Sequence, residues 1–159
     1  MSAEVFKKGN ERSKSMRSSD NGRGKAMWPF EVEGPLIDVI LKRFDRPDEV
    51  RTFEKGKFEL VHIAGMTIGR ATYEPGWKWS LHVGRAAGKK RCEVEHIGIV
   101  ISGCATAAMD DGRVIEMKAG DVFYIAPGHD SWVVGEEPYV SLHLMGATDY
   151  ATAKSGAAG

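Results

Sequence analysis

The sequence is short of cysteine, of net charge and of long apolar runs, and each shortage excludes something. Two cysteines, Cys92 and Cys104, in 159 residues cannot make a framework of several disulfides. They point to a reduced, cytoplasmic setting. No run approaches the roughly 20 apolar residues that a helix needs to span a bilayer, so no membrane association is expected. The 22 Lys+Arg cancel the 22 Asp+Glu. That balance argues against nucleic acid as a partner, since such binding draws on surplus cations that displace counterions. No strand leads into a phosphate-binding glycine loop; Gly22-Arg23-Gly24 sits in a polar stretch instead. Neither a nucleophile elbow nor a Ser-His-Asp order is present, which removes the usual signature of a hydrolase. The length suits one domain.

The zero charge is a sum over unequal parts. Residues 1–27 carry seven Lys/Arg against Glu4, Glu11 and Asp20, a net +4, which leaves −4 on the rest. This segment is rich in Ser and Gly and has almost no apolar residue after Phe6. It is expected to be a flexible basic arm, because it cannot bury enough surface to offset the entropy of ordering. It lacks the apolar stretch of a secretory signal. The last residues, 151–159, are rich in Ala and Gly and are expected to form a flexible tail, leaving residues 28–150 as a single folded domain.

Within that domain the pattern is β. Residues 36–44 fit a short helix or a buried strand equally well, and a helical turn is expected near Asp48 to Phe53. Nine short runs follow, at 58–63, 66–73, 79–83, 94–102, 106–109, 113–117, 122–125, 131–134 and 139–145. They are rich in Val, Ile, Thr and aromatics and are separated by Gly, Pro or Asp. Asp111-Gly112 tolerates the positive φ angles of a tight hairpin turn. Many short strands without helices between them indicate an all-β sandwich or barrel.

Two blocks of residues carry a resemblance. In the first, Pro75-Gly76 is followed by five residues and His82, and His96 stands six residues before Gly103. In the second, Gly120-Asp121 leads through an apolar run to Pro127-Gly128, with His129 directly after. This order resembles the two motifs of the cupin superfamily. It implies a double-stranded β-helix, the cupin jelly-roll barrel, here with a short N-terminal extension. The Trp77-Lys78-Trp79-Ser80-Leu81-His82 and Pro127-Gly128-His129-Asp130-Ser131-Trp132 stretches resemble a group of small bacterial cupins with an altered metal motif. Cupins usually bind a divalent metal through three His and one Glu. Here Gly84 and Ser131 stand at two of the His positions, and His96 stands at the Glu position. The resemblance also implies a homodimer.

Strand alternation gives a reading of the residues themselves. Cys92, Val94, His96, Gly98, Val100 and Ser102 share one face, with Glu93 and Glu95 on the other. Small Gly98 and Ser102 suggest that the His96 face lines a cavity. His82, His96, His129 and Cys92 form a candidate metal set, since imidazole and thiolate suit borderline transition metals. Zn, Fe, Ni or Mn are the candidate ions. Trp77, Trp79, Trp132 and His143 are candidate contacts for a small organic molecule. The function expected is a metal-dependent enzyme of oxygenase, isomerase or lyase type acting inside the barrel. The alternative is a non-catalytic, metal-free binding or sensory cupin. No catalytic residue is singled out.

Overall fold

The computed structural model describes residues 39–152. The expected basic arm and most of the expected tail lie outside these residues. Two antiparallel sheets form the barrel. The larger has the order β1-β2-β3-β9-β4-β7 and the smaller β6-β5-β8. Its strands are β1 (Glu49–Phe53), β2 (Gly56–Ile63), β3 (Met66–Tyr73), β4 (His96–Ser102), β5 (Cys104–Met109), β6 (Val114–Lys118), β7 (Val122–Ile125), β8 (His129–Asp130) and β9 (Tyr139–Met145). Ala64 and Gly65 both take positive φ, 48° and 79°, between paired Ile63 and Met66. That is the two-residue turn whose twist matches a hairpin.

Four local expectations give way. Residues 79–83 do not form a strand: Trp79–His82 is a helical turn, α1, followed by Gly84–Ala87, α2. The cause is Asp130, whose Oδ1 accepts from Ser80 N–H at 3.0 Å and whose Oδ2 accepts from Ser80 Oγ at 2.9 Å. The carboxylate satisfies an amide that a helix start leaves free. Conversely, the expected helical turn near Asp48 is strand β1, because its backbone finds β2 as a partner. Residues 131–134 contribute only single bridges, Lys78 to Trp132 and Ala105 to Val133. Over 39–44 there is neither helix nor strand, and Val39, Ile40 and Leu41 are exposed.

The core lies between the sheets, around Phe58, Leu60, Tyr73, Trp77, Val100 and Phe123. Buried Glu59 is held by Arg70 at 2.8 Å and Lys57 at 3.1 Å, as an interior carboxylate requires. On β4 and the segment before it the alternation holds: Cys92, His96, Gly98 and Val100 are buried while Glu93 and Glu95 are exposed. Ser102, placed on the same face, is exposed. The space beside Gly98 is occupied rather than hollow. A Cβ there would fall 2.2 Å from the Leu142 carbonyl oxygen and 2.5 Å from the Phe123 ring.

Candidate metal centre

Three chain segments bring the donors together. Cys92 N–H donates to the His129 carbonyl at 2.8 Å, and Gly128 N–H to the Cys92 carbonyl at 2.8 Å. This backbone bridge sets Cys92 beside His129. His96 follows on the same inward face, with Nε2 3.4 Å from Cys92 Sγ. The potential ligand atoms of Cys92, His96 and His129 all lie within 4.8 Å of one another, and all three residues are buried. His129 Nδ1 donates to the Ala126 carbonyl at 2.7 Å. That bond fixes the tautomer and leaves Nε2 with its lone pair free, the usual outer support of a metal-binding imidazole.

His143, on β9, packs against the cluster, its ring centroid 5.0 Å from that of His96 in an edge-on arrangement. Its Nε2 lies 3.1 Å from Ser141 Oγ. Nδ1 of His96 and Nδ1 of His143 are buried without a hydrogen-bond partner. Such groups are costly in a protein interior. Burial depresses the basicity of all three imidazoles. It takes His96 down to about 2, helped by repulsion from His143 and His129, and His143 down to about 4, with His129 adding to it. His129 is lowered by burial against the opposing pull of the Ala126 carbonyl. Burial also pushes the Cys92 thiol up to about 11. At neutral pH the cluster is therefore three neutral imidazoles and one thiol. The imidazoles are already in the form a metal needs, and the thiol has one proton to give up.

The donor set thus fits a borderline transition metal. Imidazole with one thiolate suits Zn and its neighbours better than Mg or Ca, and three protein donors leave room for a further ligand. A cavity of about 30 Å³ adjoins it, lined by His96, His129, His143, Ser131, Tyr73 and Tyr150 among others. That is the space of about one water molecule.

The other predicted residues divide. His82 is on α1, where its Nδ1 lies 2.9 Å from Lys78 N and 3.0 Å from the Lys78 carbonyl oxygen; the fold does not bring it into the Cys92–His96–His129 group. Gly84 has a steric reason to lack a side chain. A Cβ would meet Trp79 at 2.5 Å and the Lys89 carbonyl oxygen at 2.6 Å. Trp77 and Trp79 line the inner cavity, and Trp77 stacks on Tyr73 at 3.8 Å. Trp132 faces an outer hollow instead, with Lys78 Nζ 5.2 Å over its ring. Sequence reasoning missed Tyr150. It is buried, its hydroxyl accepts from Tyr73 at 2.8 Å, and its ring centroid is 5.3 Å from that of His96. It stands just before an Ala/Gly-rich end and carried no local signal.

Two antiparallel sheets enclose this cluster, with Gly103 at positive φ closing β4 and the Gly120-Asp121 and Pro127-Gly128 turns bracketing β7. The chain has the cupin fold. No family model matches this chain, and no curated protein does. Among solved structures it is similar to a protein of unknown function from Rhizobium leguminosarum bv. viciae 3841. The identity is 17%, covering 69% of this chain and 97% of that one, with a TM-score of 0.50. It is also similar to the oxalate decarboxylase of Bacillus subtilis, described with Mn(II) centres, at 28% identity and a TM-score of 0.46. There the match covers 62% of this chain and only 28% of the decarboxylase. A protein of unknown function from Vibrio parahaemolyticus matches at 9% identity over 61% of this chain and 97% of its own, with a TM-score of 0.46.

Proposed function

We propose that this cupin binds one divalent transition metal through Cys92, His96 and His129 and acts on a small organic molecule at that centre. The observation that carries the reading is the convergence of three buried donor atoms from separate segments within 4.8 Å. When bound, the metal would supply Lewis acidity to a ligand at its open position. The chain's own residues do the rest. Ala126 orients His129. Trp77, Trp79 and Tyr73 keep bulk water away from the cavity. The Tyr150 hydroxyl, whose proton is strongly retained because of burial, accepts from Tyr73 and keeps its own proton available for a bond of its own. Oxygenase, isomerase or lyase chemistry all suit such a site; of Zn, Fe, Ni and Mn, the first three suit its donors, and Mn, which prefers oxygen ligands, suits them least. A homodimer in the cytoplasm is the setting proposed for it.

One observation favours the second reading, a non-catalytic binding cupin. No Asp or Glu lines the inner cavity, so a carboxylate acid or base is missing among the described residues. Titration of chelator-stripped protein with Zn²⁺ or Co²⁺ separates the two. The metal reading expects one equivalent bound, release of about one proton from Cys92 and a raised melting temperature. No binding, together with stabilisation by an organic ligand in the presence of chelator, would favour the second reading.

A further inference from the structure

The inner cavity is too small for an organic substrate to reach it without a way in. Three outer hollows adjoin it. The largest, about 460 Å³ between β6 and β7, meets it through Met117, Phe123 and Ile125. Another, at Trp132, meets it through Trp77. The third, about 140 Å³, lies between α2 and the turn that carries Asp149 and Tyr150. It shares Trp79 and Tyr150 with the inner cavity, and it alone of the three is lined by a member of the donor cluster, Cys92.

We propose that this third hollow is the ligand entrance, with Trp79 and Tyr150 as the partition before the donor cluster. The proposal rests on the reading above only for what lies at the end of the route. Tyr150 is fixed at both ends. Its hydroxyl is bonded to Tyr73, and its carbonyl, with those of Ala147 and Thr148, accepts from Arg51 Nη1. Trp79 brings an indole N–H that is buried without a partner and borders both spaces.

The entrance also selects. At about 30 Å³ per water-sized unit, the hollow of about 140 Å³ admits small ligands only. Its inner wall is apolar, with Val83, Ala87 and Val94. The adjoining outer hollow is edged by Glu93, Glu95 and Asp149 against Lys89 alone, and Lys89 is already paired with Glu93. A negative mouth repels anions from the route. The ligand class is therefore a small neutral or singly cationic molecule with an apolar body, and dicarboxylates are disfavoured.

Cys92 at the inner end of the hollow provides the readout. Native metal-free protein is treated at one fixed alkaline pH with three thiosulfonates of closely matched chain length: propyl (neutral), aminoethyl (cationic) and carboxyethyl (anionic). Peptide mass spectrometry separates Cys92 from Cys104. Taken relative to each reagent's rate with a free thiol in solution, the neutral and cationic reagents should modify Cys92 at least tenfold faster than the anionic one. Filling the hollow by Ala87→Trp, or its exposed rim by Thr152→Trp, should slow the neutral reagent at least tenfold. Ile115→Trp, in the hollow between β6 and β7, should leave the rate unchanged. Slowing by Ile115→Trp but not by the other two variants overturns the route, as does no modification of Cys92 by the neutral reagent. An anionic reagent as fast as the neutral one overturns the selectivity. Failure of metal binding with this labelling pattern intact would refute the metal reading and leave the entrance standing.

Discussion

Burying several neutral imidazoles together should make the metal-free protein unusually sensitive to mild acid. His143 is lowered from 6.5 to about 4 and His96 from 6.5 to about 2. Unfolding returns both to ordinary values, so between about pH 6.5 and pH 4 the unfolded chain binds protons that the native chain refuses. Stability then falls as pH falls. Each pKa unit corresponds to about 1.4 kcal/mol. From pH 7 to pH 5, each of the two groups costs about 2 kcal/mol, and the pair about 4 kcal/mol. His129, lowered in the same direction, adds to this. The loss is a large share of the roughly 5–15 kcal/mol that holds a typical domain folded. Asp48, Glu49 and Asp111 are held below ordinary carboxylate values by neighbouring Lys42, Arg51 and Arg113, so they titrate below this window. The assay is urea unfolding of chelator-stripped protein at half-unit steps from pH 7 to pH 5, repeated on His143→Gln. The wild-type stability should fall with a slope of about two protons or somewhat more, and His143→Gln should reduce that slope by about one proton. A flat profile, or a slope that His143→Gln leaves unchanged, would refute the reasoning.

Further predictions concern the supports of the site. Gly98→Ala must push Phe123 or the β9 backbone aside; overpacking of this kind costs about 1–3 kcal/mol, read as a lower urea midpoint. Asp130→Ala removes the acceptor for Ser80 and Ser131 and the partner of Lys78 and Arg91. The loss expected is about 3 kcal/mol, together with faster amide exchange over α1; unchanged exchange there would show that Asp130 does not hold the helix.

Much of the barrel and part of the centre are legible in the residues. Period-two alternation places Cys92, His96, Gly98 and Val100 on the inner face, and the buried pattern agrees. The turn dipeptides sit where positive φ is required, as at Gly112, Gly120 and Gly128. What local pattern does not carry is any effect that depends on a distant partner. Trp79–His82 reads as a strand by composition, and only the Asp130 carboxylate, 50 residues away, turns it into a helix. Gly98 reads as a hollow because its neighbour Phe123 comes from another strand. Tyr150 enters the site because Arg51 on β1 holds the turn that carries it, a contact across the whole barrel.

The central claim is that Cys92, His96 and His129 hold one metal ion. Diffraction from crystals soaked in Zn²⁺ or Co²⁺, collected on both sides of the metal's absorption edge, tests it most directly. The account predicts a single anomalous peak bonded to Cys92 Sγ and to one nitrogen each of His96 and His129, absent in Cys92→Ala crystals. A fully soaked crystal with no peak at this cluster, or a peak at full strength in the Cys92→Ala protein, would contradict it.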